Sequence, residues 1–187
     1  TVDLDPGRGD LIVDFNCFEG LALDDASALC VYGSHVFEHI SIWTSQSVFQ
    51  EIHRVLQPGG FFRLVLPDVE KSIRHYLAGD AEFELFRRRR ERALKHWKLP
   101  AYTLFECLRE DFLSRSGQTK RLGAGALAHQ NAWDYETIAK DLRLAGFSSI
   151  EKKALQVTAC PEFQFEGHYP SEANEEYRSL YVEAVKA

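Results

Sequence analysis

The sequence lacks several features that would assign it to a class at once. No apolar run is long enough to cross a membrane, and no signal-peptide pattern opens the chain. The four cysteines form no C-x-x-C pair, so the sequence indicates neither a disulfide framework nor a cysteine-based zinc site. There is also no P-loop and no nucleophile elbow. These absences predict a cytoplasmic protein with reduced thiols and no membrane contact.

Methionine is missing from all 187 residues, and Thr1 already stands inside a strand-like run. Because translation begins at methionine, we expect further residues ahead of Thr1 in the full protein.

The composition predicts one globular domain, residues 1–187, with a sizeable core. Hydrophobic residues make up 45% of the chain and charged residues 27%, as is usual for such domains. The net charge of −6 argues against binding to nucleic-acid phosphates. The sequence is compatible with a homodimer.

The stretch from Ala28 to Asp68 predicts the central unit of an α/β sheet. It begins and ends with short apolar runs of strand type, and between them apolar residues recur at helical spacing. Pro58-Gly59-Gly60 is expected to end the helix and turn the chain into the second strand. Ligands of such sheets bind at the carboxyl ends of the strands, which here carry Ser34, His35 and Asp68.

Two shorter strands, Val2 to Asp5 and Asp10 to Phe15, are expected ahead of this unit, and each carries an acid near its end, Asp3 and Asp14. A carboxylate at a strand end can accept hydrogen bonds from both hydroxyls of a ribose or from an adenine amino group. An aspartate in this position can equally well stabilise a turn, and that alternative stays open.

The second half of the chain is predicted to be helical over about 69–128, as a cap inserted at the carboxyl edge of the sheet. A helix with Asp134 as its N-cap follows, and then strands over 149–157 and 181–185. His129 and Trp133 could close over a site, although a local loop contact is an equal interpretation of His129.

The sequence His35-Val-Phe-Glu38-His39 has the spacing H-x-x-E-H of the inverzincin zinc proteases. Those enzymes carry the motif on a long helix, whereas here it follows directly on a buried strand, so proteolysis is not indicated. One helical turn can place the three side chains near a common point, which leaves a metal open. The remaining interpretation is that one side chain orients another.

Several segments, taken in order, resemble class I S-adenosylmethionine-dependent methyltransferases, and most closely the methyltransferase type 11 family. They are DLIVDF, LALDDASALCVYGSHVFEHI, EIHRVLQPGGFFRLVLPD, WDYETIAKDLRLAGF and SLYVEAVK. The resemblance implies a three-layer Rossmann-like α/β sandwich whose mostly parallel sheet ends in an antiparallel strand.

The resemblance also implies site residues. Asp3 stands where the family's acid holds the cofactor ribose, and Asp14 and Phe15 stand where the adenine lies. Ser34 and His35 stand beside the sulfonium and its methyl group.

His35, Glu38 and His39 resemble the E-x-x-E-H metal site of some RNA-end and quinone methyltransferases, with histidine in place of the first glutamate. Because of that substitution, no metal ligand is assigned from the sequence.

The family's first strand and glycine-rich loop have no counterpart in this sequence, although that strand lies at the centre of the family's sheet. We therefore expect these elements ahead of Thr1. If they do not exist, a non-catalytic methyltransferase-like binding module is the alternative to an enzyme.

The function expected from the sequence is methyl transfer from S-adenosylmethionine to a small, polar acceptor. The helical cap and the aromatic segment Phe163 to Tyr169 are expected to form the pocket for this acceptor. His35 is expected nearest the proton that the acceptor loses, with Glu38 or His39 orienting its ring. Catalytic roles are thus assigned to His35, Glu38 and His39.

Overall fold

A computed structural model of the protein describes residues 2–3, 11–113, 128–163 and 176–187. The side chain of Asp3 lies outside this description, as does the segment 164–169, which the sequence assigned with Phe163 to an acceptor pocket.

The main sheet has four strands in the order β3-β4-β6-β5. Strand β4 pairs in parallel with β3, and β6 pairs antiparallel with both β4 and β5. Strands β3, β4 and β5 therefore point the same way, and β6 alone is reversed, which confirms the predicted α/β sheet with its antiparallel strand. The strands are β3 (Ala28–Ser34), β4 (Leu56–Pro67), β5 (Phe147–Lys153) and β6 (Ser179–Lys186).

Two further strands, β1 (Val2–Asp3) and β2 (Leu11–Ile12), pair in parallel as a separate two-stranded sheet. The sequence predicted that β2 would extend to Phe15, but the chain forms a 3-10 helix at Phe15–Cys17 instead. This short helix is closed by a hydrogen bond from the Cys17 amide to the Asp14 carbonyl.

Five α-helices connect the strands in the described part of the chain, none of them long and apolar enough to span a membrane. They are α1 (Ser45–Val55), α2 (Val69–Leu77), α3 (Glu84–Trp97), α4 (Leu104–Arg109) and α5 (Tyr135–Leu144).

The main core lies between one face of the sheet and the helices α1 and α5. Alternate residues of β4 and β6 point to this face, because side chains along a strand alternate between its two sides. They pack against apolar residues of both helices. The resulting core includes Phe49, Ile52, Phe62, Leu64, Leu66, Trp133, Ile138, Leu142 and Leu180. Helices α2 to α4 have a separate apolar cluster around Phe86 and Tyr102.

The opposite face of the sheet carries a buried ion pair. The Arg63 side chain is fully buried, and its Nη1 lies 3.4 Å from Glu183 Oε2. Arg63 also donates hydrogen bonds to the carbonyls of Ala154 and Val157. These bonds draw the chain out of the sheet after Lys153, so β5 ends there and not at Val157 as the sequence predicted.

Pro58-Gly59-Gly60 has a different role from the predicted one. Helix α1 ends at Val55, and β4 begins at the next residue, so the three residues lie inside the strand. There the pairing with β3 is irregular, since Ala28 pairs with Leu56 but Cys30 pairs with Phe61. A Cβ on Gly60 would come within 3.0 Å of the Leu29 carbonyl, so the glycine permits the close approach of the strands.

The Asp134 side chain caps the N-terminus of α5, and its contribution to stability can be measured. Asp134 accepts a hydrogen bond from the Thr137 amide at 2.8 Å, and hydrogen bonding to Thr137 lowers the pKa of this carboxyl. We expect Asp134→Ala to reduce the free energy of unfolding at pH 7 by about 1 kcal/mol, measured by urea denaturation. Asp134→Asn should retain most of the stability, because asparagine also caps helices.

The contribution of the Asp134 cap to the free energy of unfolding should depend on pH. A carboxyl whose pKa is lower in the folded state stabilises the fold above its unfolded pKa of about 3.9 and loses this effect as the pH falls through the folded pKa. The stability difference between the parent protein and Asp134→Ala should therefore shrink in acid. A difference independent of pH would contradict the assignment of the cap.

Candidate active site

The carboxyl end of β3 makes a sharp turn at His35. Its backbone has φ of 50°, in the left-handed region that a residue with a side chain seldom adopts. The His35 amide donates to the Val65 carbonyl at 2.8 Å, which holds the turn against β4. Ser34 and His35 therefore lie at the edge of the sheet where the sequence predicted them.

A short 3-10 helix, Phe37–His39, follows this turn and is anchored by an aromatic side chain. The Phe37 ring is buried, with its centroid 5.5 Å from that of Phe49 and 5.4 Å from that of Phe62. Gly33 lies against the same ring, and a Cβ at this position would overlap it. This packing fixes the positions from which Glu38 and His39 project.

The His35 ring is held at both nitrogens. Its Nδ1 lies 3.2 Å from Glu38 Oε1, and its Nε2 lies 3.0 Å from Ser179 Oγ. Because an ionised carboxylate only accepts hydrogen bonds, Nδ1 carries a proton. In the neutral ring Nε2 is then the acceptor and receives the Ser179 hydroxyl proton.

Glu38 is an ionisable group with a side chain that is only 3% exposed. Burial raises the pKa of its carboxyl, but the hydrogen bond from His35 and the proximity of His35 and His39 outweigh burial, and the pKa lies below its usual range. Its second oxygen, Oε2, has no hydrogen-bond partner among the described residues. The site thus contains a buried carboxylate with one oxygen engaged.

A second pair of imidazoles lies on the other side of Glu38. The rings of His39 and His129 meet edge to face, with centroids 5.0 Å apart. His39 Nδ1 lies 3.3 Å from the Ala128 carbonyl, and His129 Nδ1 lies 2.7 Å from the Asp111 carbonyl. Burial lowers the pKa of His129, which favours its neutral form. His129 therefore lies against the predicted site, in contact with the His39 ring.

The other predicted residues lie on a different segment, ahead of β3. Asp14 is exposed, and the half-buried Phe15 packs against the main core and stacks on Phe18 at 5.7 Å between centroids. The structure brings His35, Glu38 and His39 together at one turn and shows Glu38, not His39, in contact with the His35 ring.

Sequence reasoning missed Ser179, which lies 144 positions from its partner His35. It is the first residue of β6 and pairs with Pro67, the last residue of β4. Only a correct register for the antiparallel strand would have brought it to this edge, and a lone serine ahead of the strand predicted over 181–185 gave no signal of its own.

The chemical capacity of this arrangement is proton transfer. A buried carboxylate orients an imidazole and stabilises its charged form, and the second ring nitrogen faces a hydroxyl that it can deprotonate or exchange for another donor. These side chains lie beyond the carboxyl end of β3, which is the edge of the sheet where α/β folds bind their ligands.

A known protein family matches the same region of the chain. A family model described as a methyltransferase domain matches residues 6–64, which include β3, α1 and the His35 turn. The resemblance to class I methyltransferases, inferred above from the sequence, is thereby confirmed. No curated protein matches the chain.

The fold is also similar to solved structures of methyltransferases, at low sequence identity. An S-adenosylmethionine-dependent methyltransferase from Archaeoglobus fulgidus has a TM-score of 0.49 at 12% identity, covering 99% of this chain and 74% of that one. One from Mesorhizobium loti has a TM-score of 0.47 at 16% identity, covering 99% and 78%.

A chain from the complex between the Haloferax volcanii Trm112 methyltransferase activator and a methyltransferase is similar at a TM-score of 0.46 and 17% identity. The match covers 94% of the present chain but only 60% of that chain. The chain thus spans well under two thirds of the length of this relative.

The packing of Gly33 against Phe37 predicts that a side chain at residue 33 will destabilise the turn at the carboxyl end of β3. Gly33→Ala should lower the free energy of unfolding by about 1–3 kcal/mol, because the added methyl group overlaps the Phe37 ring. Chemical denaturation of the variant measures the loss.

The matched control is the double variant Gly33→Ala/Phe37→Leu. A smaller side chain at residue 37 makes room for the methyl group, so the double variant should lose less stability than the sum of the two single variants. Strict additivity would show that the two residues do not compete for the same space.

Proposed function

We propose that the protein transfers a methyl group from S-adenosylmethionine to a small, polar acceptor. The observation that carries this proposal is the His35–Glu38 pair at the carboxyl end of β3, inside the segment that matches a methyltransferase domain. A proton acceptor at this edge is what methyl transfer to a hydroxyl or amine requires.

The residue types at the candidate positions fit the cofactor. Asp14 is an exposed carboxylate of the kind that accepts hydrogen bonds from an adenine amino group, and Phe15 offers an aromatic surface beside it. We assign Asp3 to the ribose hydroxyls and Ser34 to the surroundings of the sulfonium. S-adenosylmethionine would supply an activated methyl group, so the protein has only to align the acceptor and remove a proton.

His35 is the proposed proton acceptor. Glu38 fixes the proton on Nδ1 and thereby leaves Nε2 basic. The Ser179 hydroxyl now donates to Nε2, and an acceptor hydroxyl or amine that replaces Ser179 as donor would deliver its proton to the same atom. The imidazolium that forms is stabilised by the adjacent carboxylate.

The limited exposure of this edge supports a small acceptor. The His35 side chain is only 15% exposed, and Ser179 is buried. A small, polar molecule can reach Nε2 with less rearrangement than a polymer. Phe163, which lies against Tyr32 with centroids 6.0 Å apart, is the described part of the proposed acceptor pocket.

Cofactor binding is tested by calorimetric titration of the full-length protein with S-adenosylhomocysteine. We expect measurable binding that Asp14→Ala weakens about tenfold, the loss of one hydrogen bond to a charged group. Asp24→Ala is the matched control, because Asp24 is also exposed and lies in the following loop. If the full-length protein fails to bind, the non-catalytic alternative replaces the enzyme.

Catalysis is tested with His35→Asn. Asparagine tolerates the left-handed backbone of this position but removes the imidazole, so the fold should survive. With an acceptor found by screening small polar compounds for S-adenosylhomocysteine release, we expect the rate to fall by about 100-fold or more. Affinity for S-adenosylhomocysteine should stay unchanged. An unaltered rate would remove His35 from the chemistry without touching the assignment of the cofactor.

A further inference from the structure

We propose that Glu38, His39 and His129 form a binding site for a divalent transition-metal ion. A carboxylate oxygen of Glu38 and a ring nitrogen of each histidine lie within 4.8 Å of one another. The set stands beside the His35–Ser179 contact and does not depend on methyl transfer. It joins two segments that are 90 positions apart in the chain.

The two imidazoles are arranged as metal ligands are. A histidine that binds a metal through one nitrogen usually donates the other N–H to a carbonyl or carboxylate, which fixes its tautomer. His39 and His129 each place Nδ1 against a backbone carbonyl, at 3.3 Å and 2.7 Å. Since a carbonyl only accepts, both rings carry the proton on Nδ1, and the Nε2 lone pair of each remains for a cation.

Glu38 supplies the negative charge that a cation needs. Its Oε1 accepts from His35, whereas Oε2 is buried and has no hydrogen-bond partner among the described residues. A buried oxygen left without a partner is unfavourable, and more so when it is charged. The carboxylate lies against the imidazoles, with Oε1 3.9 Å from His39 Nε2. A metal ion bound between this carboxylate and the two rings would compensate its buried charge.

Backbone hydrogen bonds hold the two ligand-bearing segments together without the ion. The amides of Gln130 and Asn131 donate to the Glu38 carbonyl, at 2.7 Å and 3.2 Å. The Gln130 side chain donates to the His39 carbonyl at 3.0 Å. The ligands are therefore preorganised, and small side-chain rotations suffice to bring them to bonding distances of about 2.1 Å from one ion.

The ligand set also selects the class of metal. Two imidazoles and one carboxylate suit zinc, cobalt, iron or nickel, whereas magnesium and calcium prefer oxygen ligands. His35 is not part of the set, because both of its ring nitrogens are engaged by Glu38 and Ser179. The ligand group thus differs from the His35, Glu38 and His39 group that the sequence left open.

The test is calorimetric titration of the untagged, full-length protein with Zn²⁺, together with Co²⁺ titration followed by visible absorption. We expect one ion per chain, and we expect Mg²⁺ at the same concentration not to compete. His129→Gln and Glu38→Gln should each weaken Zn²⁺ binding by about 100-fold or more, since each removes a direct ligand. His96→Gln, which changes an exposed histidine on α3, should bind as the parent does.

Circular dichroism and thermal unfolding without metal verify that each variant is folded. The proposal is overturned if the folded parent binds no Zn²⁺, or if His129→Gln and His96→Gln bind it equally well. It is also overturned if Mg²⁺ binds as tightly as Zn²⁺. Because the readout is binding of the metal alone, failure here would leave the proposed methyl transfer untouched.

Discussion

The pairing of β4 on both of its edges is the constraint on which the rest of the structure depends. Along one edge β4 bonds to β3 in parallel, and along the other it bonds to β6 in the opposite direction. The two registers bring Ser34 beside Val65 and Ser179 beside Pro67. The end of one strand and the beginning of another thus meet at one point, where the His35 ring contacts the Ser179 hydroxyl.

Glu38 is the electrostatic centre of that edge. Its carboxylate is buried, so an ionised form requires partners on every side. Its Oε1 is engaged by His35, which orients that ring for proton transfer, and an oxygen of the same carboxylate lies within 4.8 Å of a ring nitrogen of His39 and of His129. One side chain therefore connects the proposed reaction with the proposed metal site. The aromatic packing of Phe37 on Phe49 and Phe62 holds it in place.

The sequence predicted much of this, and the errors have physical causes. The strand, helix and strand between Ala28 and Asp68 follow from local periodicity, which depends only on neighbouring residues. The glycines at 59 and 60 were misassigned because glycine permits a helix end and a strand irregularity alike. The end of β5 was misplaced because Arg63, which binds the Ala154 carbonyl, lies 91 positions away in sequence.

By itself, the sequence determined the carboxyl ends of β3 and β4, the H-x-x-E-H spacing and the Asp134 cap, because each is set by residues within one or two turns of each other. It also determined the likeness to methyltransferases, which spans residues 6–64 in the family match. Only the tertiary structure decided which histidine faces which group. The contacts of His35 with Ser179 and of Glu38 and His39 with His129 depend on strand register and on backbone hydrogen bonds between distant segments. No local pattern encodes these.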